Sequence, residues 1–188
     1  MGTGTIAILV ILAVIAVGAI WVISAYNGFI RLRNMVEEAF ATMDVYLKKR
    51  YDLIPNLVET VKGYAAHEKT TLENVIKARN MAADAKTMEG RIEGENMLSG
   101  MLRSLFALAE AYPDLKANQN FLDLQSQLQR VEDDIANSRK YYNAVVKEFN
   151  TKTESFPSNI IAGIFNFTRK PMFEVNDEAE RETVKVQF

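Results

Sequence analysis

The sequence predicts an all-α protein: an N-terminal transmembrane helix, then an antiparallel four-helix-type bundle, a short apolar fifth helix and a strand-like C-terminal tail. Three observations carry this reading. Residues 6–23 form an unbroken apolar run, and residues 121–149 place apolar side chains at alternating three- and four-residue steps. Only 4 prolines occur in 188 residues, which suits long helices better than strands and turns. The expected division is a transmembrane anchor over residues 1–28, a helical bundle over 29–170 and an extended tail over 171–188.

The anchor follows from length and flanks. Spanning a bilayer takes roughly 20 apolar residues at ~1.5 Å rise each. The run from Ile6 through Ile23, extended to Ala25, meets that length with nothing more disruptive than Gly18. Trp21 and Tyr26 stand at its C-terminal end, where amphipathic rings favour the membrane interface, and Arg31 and Arg33 follow as the first charged side chains. A cleaved signal peptide fits poorly, because no basic residue precedes the run and Ile23 stands where a small residue would be needed before Ala25. With both flanking cations after the span, the positive-inside rule expects the N-terminus outside and the bundle in the cytoplasm.

The helical part is read from periodicity. Phe121, Leu124, Leu128, Val131, Ile135, Tyr142, Val145 and Phe149 form a heptad seam with Ser138 as its single polar step, and Asn118 or Asn120 can cap its start. Leu32, Val36, Ala39, Met43 and Tyr46 mark a first helix, which can continue straight out of the span since Asn27-Gly28 is the only weak point. A second is expected from Leu53 to about Lys86, with Asp52 as N-cap and Pro55 in its first turn. A third is expected from Ile92 to Ala111, with Leu98, Leu102, Leu105 and Ala109 inward and Gly90 and Gly94 loosening its start. Long helices on short links pack as an antiparallel bundle. The apolar piece Ile160, Ile161, Ala162, Ile164, Phe165 and Phe167 plugs the bundle end in one reading, and meets lipid or another subunit in the other. In the tail, Val184, Val186 and Phe188 alternate with Lys185 and Gln187, a strand pattern that needs a partner and marks a candidate intersubunit contact.

Motifs for chemistry are sparse. There are no cysteines, so disulfides, thiolate metal sites and cysteine nucleophiles are excluded. His67 is the sole histidine; His67-Glu68 opens like a zinc-protease helix, but Thr71 stands where the second ligand belongs. Neither the phosphate-binding loop nor the dinucleotide fingerprint occurs. A formal net charge of −2 offers no basic face for nucleic acid. The basic run Lys48, Lys49 and Arg50 begins 17 residues past Arg31, ~25 Å along a straight helix. That is several times the ~8 Å screening length, so ion pairs within the bundle or between subunits suit it better than lipid. Asn166-Phe167-Thr168 matches a glycosylation pattern that recurs by chance. The expectation is therefore no enzyme, no cofactor, no metal and no small-molecule substrate.

The run from Val45 to Ala65, with Lys48-Lys49-Arg50-Tyr51-Asp52-Leu53-Ile54-Pro55-Asn56-Leu57-Val58 within it, resembles a signature of the LemA family, as does the run from Leu105 to Asn118, with Ala109-Glu110-Ala111-Tyr112-Pro113-Asp114-Leu115-Lys116-Ala117-Asn118 at its end. Ile135-Ala136, Arg139, Tyr142-Asn143 and Phe156-Pro157-Ser158-Asn159 extend the likeness over essentially all of the chain after the anchor. The resemblance implies a bacterial inner-membrane protein with a helical bundle, some of whose relatives are tied to magnetosome membranes and others to signalling or envelope phenotypes. It supplies no catalytic residues. The motif residues Arg50, Asp52, Asn56, Arg79, Arg139 and Asn143 are read as a structural polar network, since buried Arg–carboxylate and Asn groups can fix helix register.

The role expected from these features is structural. Anchored copies would meet the lipid bilayer and one another, forming a homo-oligomeric scaffold that organises or shapes membrane. The alternative is a monomeric adaptor that tethers a partner protein for signalling or envelope homeostasis.

Overall fold

A computed structural model describes residues 2–173. Within them the chain is all-helical: α1 Thr3–Lys62, α2 Lys69–Asp84, α3 Met88–Ala109, α4 Pro113–Lys116, α5 Gln119–Glu154 and α6 Ser158–Ile164. The strand pattern at Val184, Val186 and Phe188 lies outside the described residues. The chain forms two compact units, residues 2–41 with 141–172 and residues 42–140 with Phe173. Helices α1 and α5 contribute to both.

The second unit is the bundle proper, made from the C-terminal part of α1, from α2 and α3, and from the N-terminal part of α5. Its core is the set of seams expected from sequence: Leu98, Leu102, Leu105 and Ala109 of α3 are buried, as are Phe121, Leu128, Val131 and Ile135 of α5. Asn118 starts α5 by accepting a hydrogen bond at Oδ1 from the Phe121 N–H, 3.0 Å. Thr87 does the same for α3, accepting from the Gly90 N–H at 3.1 Å.

Two expectations about helix boundaries are corrected. The chain does not restart at Asp52: α1 runs without interruption through Asp52 and Pro55 to Lys62, and the break falls at the turn over 63–68. The seam explains this. Met43, Leu47, Arg50, Ile54, Leu57 and Val61 are all buried on one helical face, so a turn at Asp52 would split a continuous buried surface. Pro55 removes one N–H and costs the Tyr51 carbonyl its backbone donor. The Nε of Arg79 on α2 donates to that carbonyl instead, at 3.2 Å. The second correction concerns Gly94, which does not loosen α3. A Cβ there would stand 2.7 Å from Cα and 2.9 Å from N of Ala82, so the glycine is what lets α2 and α3 approach.

The first unit holds the apolar run. Its side chains are exposed, Ile15 by 62% for example, and none of the most apolar 18-residue window is buried. A core helix of the same composition would be covered. Among the described residues this is the one helix long and apolar enough to cross a membrane. Beyond the run, Phe29 is fully buried, with Phe149 edge-on at 6.1 Å and Phe167 stacked at 4.7 Å between ring centroids. Phe167 reaches this position through the end of α6. Asn166 takes the left-handed conformation (φ 55°), and the Phe167 N–H donates back to the Ala162 carbonyl at 2.9 Å, closing the helix. The following segment is held to α5 by buried Asn150, which donates from Nδ2 to the Lys170 carbonyl (2.9 Å) and accepts from the Lys170 N–H (2.8 Å). The Tyr142 hydroxyl adds a bond to the Pro171 carbonyl at 3.0 Å.

Candidate functional site: a buried ion network in the bundle

Arg50 occupies a seam position of α1 where its neighbours Leu47 and Ile54 are apolar, and it is 0% exposed. A lone guanidinium there would forfeit its hydration. The compensating charge comes from Glu95, also 0% exposed, which holds the equivalent place on α3, three residues before Leu98. Arg50 Nη2 donates to Glu95 Oε2, and the Tyr51 hydroxyl donates to Glu95 Oε1, so both carboxylate oxygens are engaged. Arg50 Nη1 donates to Glu132 on α5 at 2.8 and 3.1 Å, and to Ser99 Oγ at 3.4 Å. Arg139 completes the cluster, with Nη2 3.7 Å from Glu95 Oε2 and its guanidinium 4.6 Å from the centre of the Phe173 ring. Two cations thus face two anions, and α1, α3 and α5 are joined through one group of side chains.

The electrostatics follow from burial. Desolvation opposes the charge on Arg50, but Glu95 and then Glu132 outweigh it and hold its pKa above the ordinary arginine value. Burial, reinforced by Glu95, pushes the Tyr51 phenol well above its usual range, so it remains a hydrogen-bond donor. Beside the network, α3 and α5 leave a groove of about 530 Å³ whose lining includes Ser99, Arg103, Phe106, Gln129, Glu132 and Arg139. Glu132, 34% exposed, and Arg139, 15% exposed, are the charged members of the cluster that reach solvent there.

The motif residues read from sequence are placed differently from one another. Arg50 and Arg139 enter the network. Arg79 serves the Tyr51 carbonyl, with Nη1 on Asn80 Oδ1 at 3.0 Å. Asp52 lies on the exposed face of α1 and pairs with Lys48 at 3.1 Å, and Asn56 is exposed one turn further on. Asn143 is half-buried on the part of α5 that belongs to the first unit. The basic run is therefore divided by the helix: Lys48 to Asp52, Lys49 over the Tyr46 ring at 5.1 Å, and Arg50 inward. Of the span residues, Ile6, Trp21 and Ile23 are exposed and Tyr26 is partly covered; Arg31 and Arg33 are exposed. Val184, Val186 and Phe188 lie outside the described residues.

Glu95 and Glu132 are absent from the sequence reading. Glu95 carried a usable signal, because stepping back three residues from Leu98, Leu102, Leu105 and Ala109 lands on it. A carboxylate on an apolar seam calls for a buried cation. His67 sits exposed in the turn before α2. Among the described residues, no three His, Asp or Glu side chains gather as a metal site would need.

Fold and site together define a membrane-associated helical protein whose most buried ionic groups bind helices to one another. The chain belongs to the LemA family, whose family model matches residues 39–188. It is similar to Protein LemA of Metamycoplasma hominis, at 23% identity over 80% of this chain and 69% of that protein. It is also similar to Magnetosome protein MamQ 2 of Paramagnetospirillum magneticum, at 24% identity over 93% of this chain and 74% of the relative. The MamQ protein of Magnetospirillum gryphiswaldense matches at 21% over 92% and 74%.

Proposed function

We propose that the protein is a non-enzymatic, membrane-anchored scaffold whose copies self-associate to organise or shape a bacterial membrane. The carrying observation is how the side chains are used. Arg50, Glu95, Glu132 and Arg139 are spent on one another inside the bundle. The surface by contrast offers an apolar span, with Ile8, Val14, Val17 and Ile20 each more than half exposed. A molecule of that kind acts through surfaces that meet lipid and protein. The likeness to proteins named for magnetosomes supports a role at a membrane. In this reading residues 6–25 cross the inner membrane once, the N-terminus lies outside, and the bundle lies in the cytoplasm.

Crosslinking in intact cells tests the proposal against an adaptor role. A ladder of self-crosslinked species is the expected result. One dominant band with a foreign protein, and no self-crosslink, would replace the scaffold with a tether. A cysteine introduced at Thr3→Cys, in a chain that has none, reports sidedness: labelling by an impermeant maleimide from outside is expected.

A further inference from the structure

The exposed apolar surface does not end with the span. On and beside α6, Phe156 is 81%, Ile160 50%, Ile164 64% and Phe165 45% exposed; Ile160 and Ile164 stand one turn apart on the helix, Phe156 precedes it and Phe165 follows its last residue. Only Ile161 and Ala162 of α6 turn inward. A plug at the end of a bundle would show the opposite balance.

The position of this face identifies what covers it. The ring of Phe165 lies 4.7 Å, and that of Phe167 5.9 Å, from the ring of Tyr26, centroid to centroid. Tyr26 is the first residue beyond the apolar run that ends at Ala25. One end of α6 is therefore fixed at the level where α1 leaves the hydrocarbon, within the same compact unit. The nearby charge suits headgroups. A groove of about 500 Å³ on that unit is lined by Gly28, Arg31, Lys147, Glu148 and Lys152 among others, three cations to one carboxylate. An apolar helical face flanked by cations, at the depth of an aromatic belt, is the arrangement of an interfacial helix.

We infer that α6 and its two flanks are a second membrane contact, with the exposed Phe156, Ile160, Ile164 and Phe165 seated in the bilayer interface next to the emerging span. This rests on residues 6–25 crossing the membrane. The covering partner is lipid, with anionic headgroups against Arg31, Lys147 and Lys152. Two points of attachment fix the rotation of the first unit about the span, which a single helix leaves free.

The absence of cysteine makes site-directed spin labelling direct. Full-length protein carrying Ile160→Cys, Ile164→Cys, Ile15→Cys or Asp133→Cys is reconstituted in phosphatidylcholine vesicles containing phosphatidylglycerol, and nitroxide collisions with oxygen and with a nickel chelate are compared. Positions 160 and 164 are expected to give oxygen-to-nickel ratios several-fold above that of position 133, and below that of position 15. Ratios at 160 and 164 equal to that at 133, with position 15 reading hydrocarbon, overturn the inference and leave the span standing. A water-like reading at position 15 overturns the span itself. Low collision with both reagents at 164, together with spin–spin broadening, assigns the face to a second copy and overturns the lipid contact.

Discussion

Arg79 donates from Nε to the backbone carbonyl of Tyr51 at 3.2 Å, supplying the hydrogen bond that Pro55 withholds from its own helix. Proline inside a helix leaves the carbonyl four residues back without a donor, and a partly buried orphan carbonyl is costly. Here a side chain from α2 fills the gap. The proline thereby becomes a docking point between α1 and α2 rather than a break.

That relationship predicts a coupling. Arg79→Ala should destabilise the protein by roughly 1.5–3 kcal/mol in the native sequence, the range for a hydrogen bond from a charged donor. In a Pro55→Ala background the N–H of residue 55 recovers the Tyr51 carbonyl, so the same change should cost about 1 kcal/mol less. Denaturant unfolding of the four variants, followed by helicity, gives the cycle. Strictly additive effects would dissociate Arg79 from Pro55.

Removing one member of the ion network should be far more damaging than removing a pair. Glu95→Ala takes the fully buried counter-charge from the buried Arg50, leaving it the partly exposed Glu132, and should cost about 3–5 kcal/mol. Arg50→Met combined with Glu95→Leu removes opposite charges together and should cost well under the sum of the two single changes. Unfolding midpoints of the purified full-length protein in detergent measure this. Equal losses for the single and the joint replacements would mean that the charges do not act as a unit.

Two glycines on α3 should respond with opposite sign. Gly94→Ala inserts a methyl within 3 Å of the Ala82 backbone, and overpacking of this kind costs about 1–3 kcal/mol. Gly100→Ala meets nothing within 4 Å and should stabilise by roughly 0.5–1 kcal/mol through helix propensity. Thermal melts compare the two. A stabilising Gly94→Ala would show that α2 and α3 do not pack as closely as the structure places them.

What could be read from sequence was whatever depends on periodicity along one helix. The span from Ile6 to Ile23, the seam from Phe121 to Phe149 and the inward face at Leu98, Leu102 and Leu105 each repeat a local rule several times over. The continuity of α1 through Pro55 could not be read that way, because local proline chemistry points to a start and the remedy, Arg79, comes from another helix. Gly94 reads locally as a weak helix former, and its purpose exists only opposite Ala82. Arg50 and Arg139 were visible as motif residues, but their carboxylate partners lie 45 and more residues away in sequence from Arg50, and only packing joins them. Asp52 and Asn56 show the converse. They stand in the same motif as Arg50, yet helical geometry turns them to the outside.

The C-terminal segment offers a test of assembly that leaves the bundle intact. If Val184, Val186 and Phe188 pair between subunits, deleting residues 184–188 should reduce the oligomeric fraction while far-UV helicity is retained. Unchanged assembly after the deletion would remove these residues from the contact.

Native mass analysis of the full-length protein, transferred from mild detergent or lipid nanodiscs over a range of concentrations, bears most directly on the scaffold. Multimers that persist on dilution are predicted. A single monomeric mass at every concentration, in both environments, would contradict it.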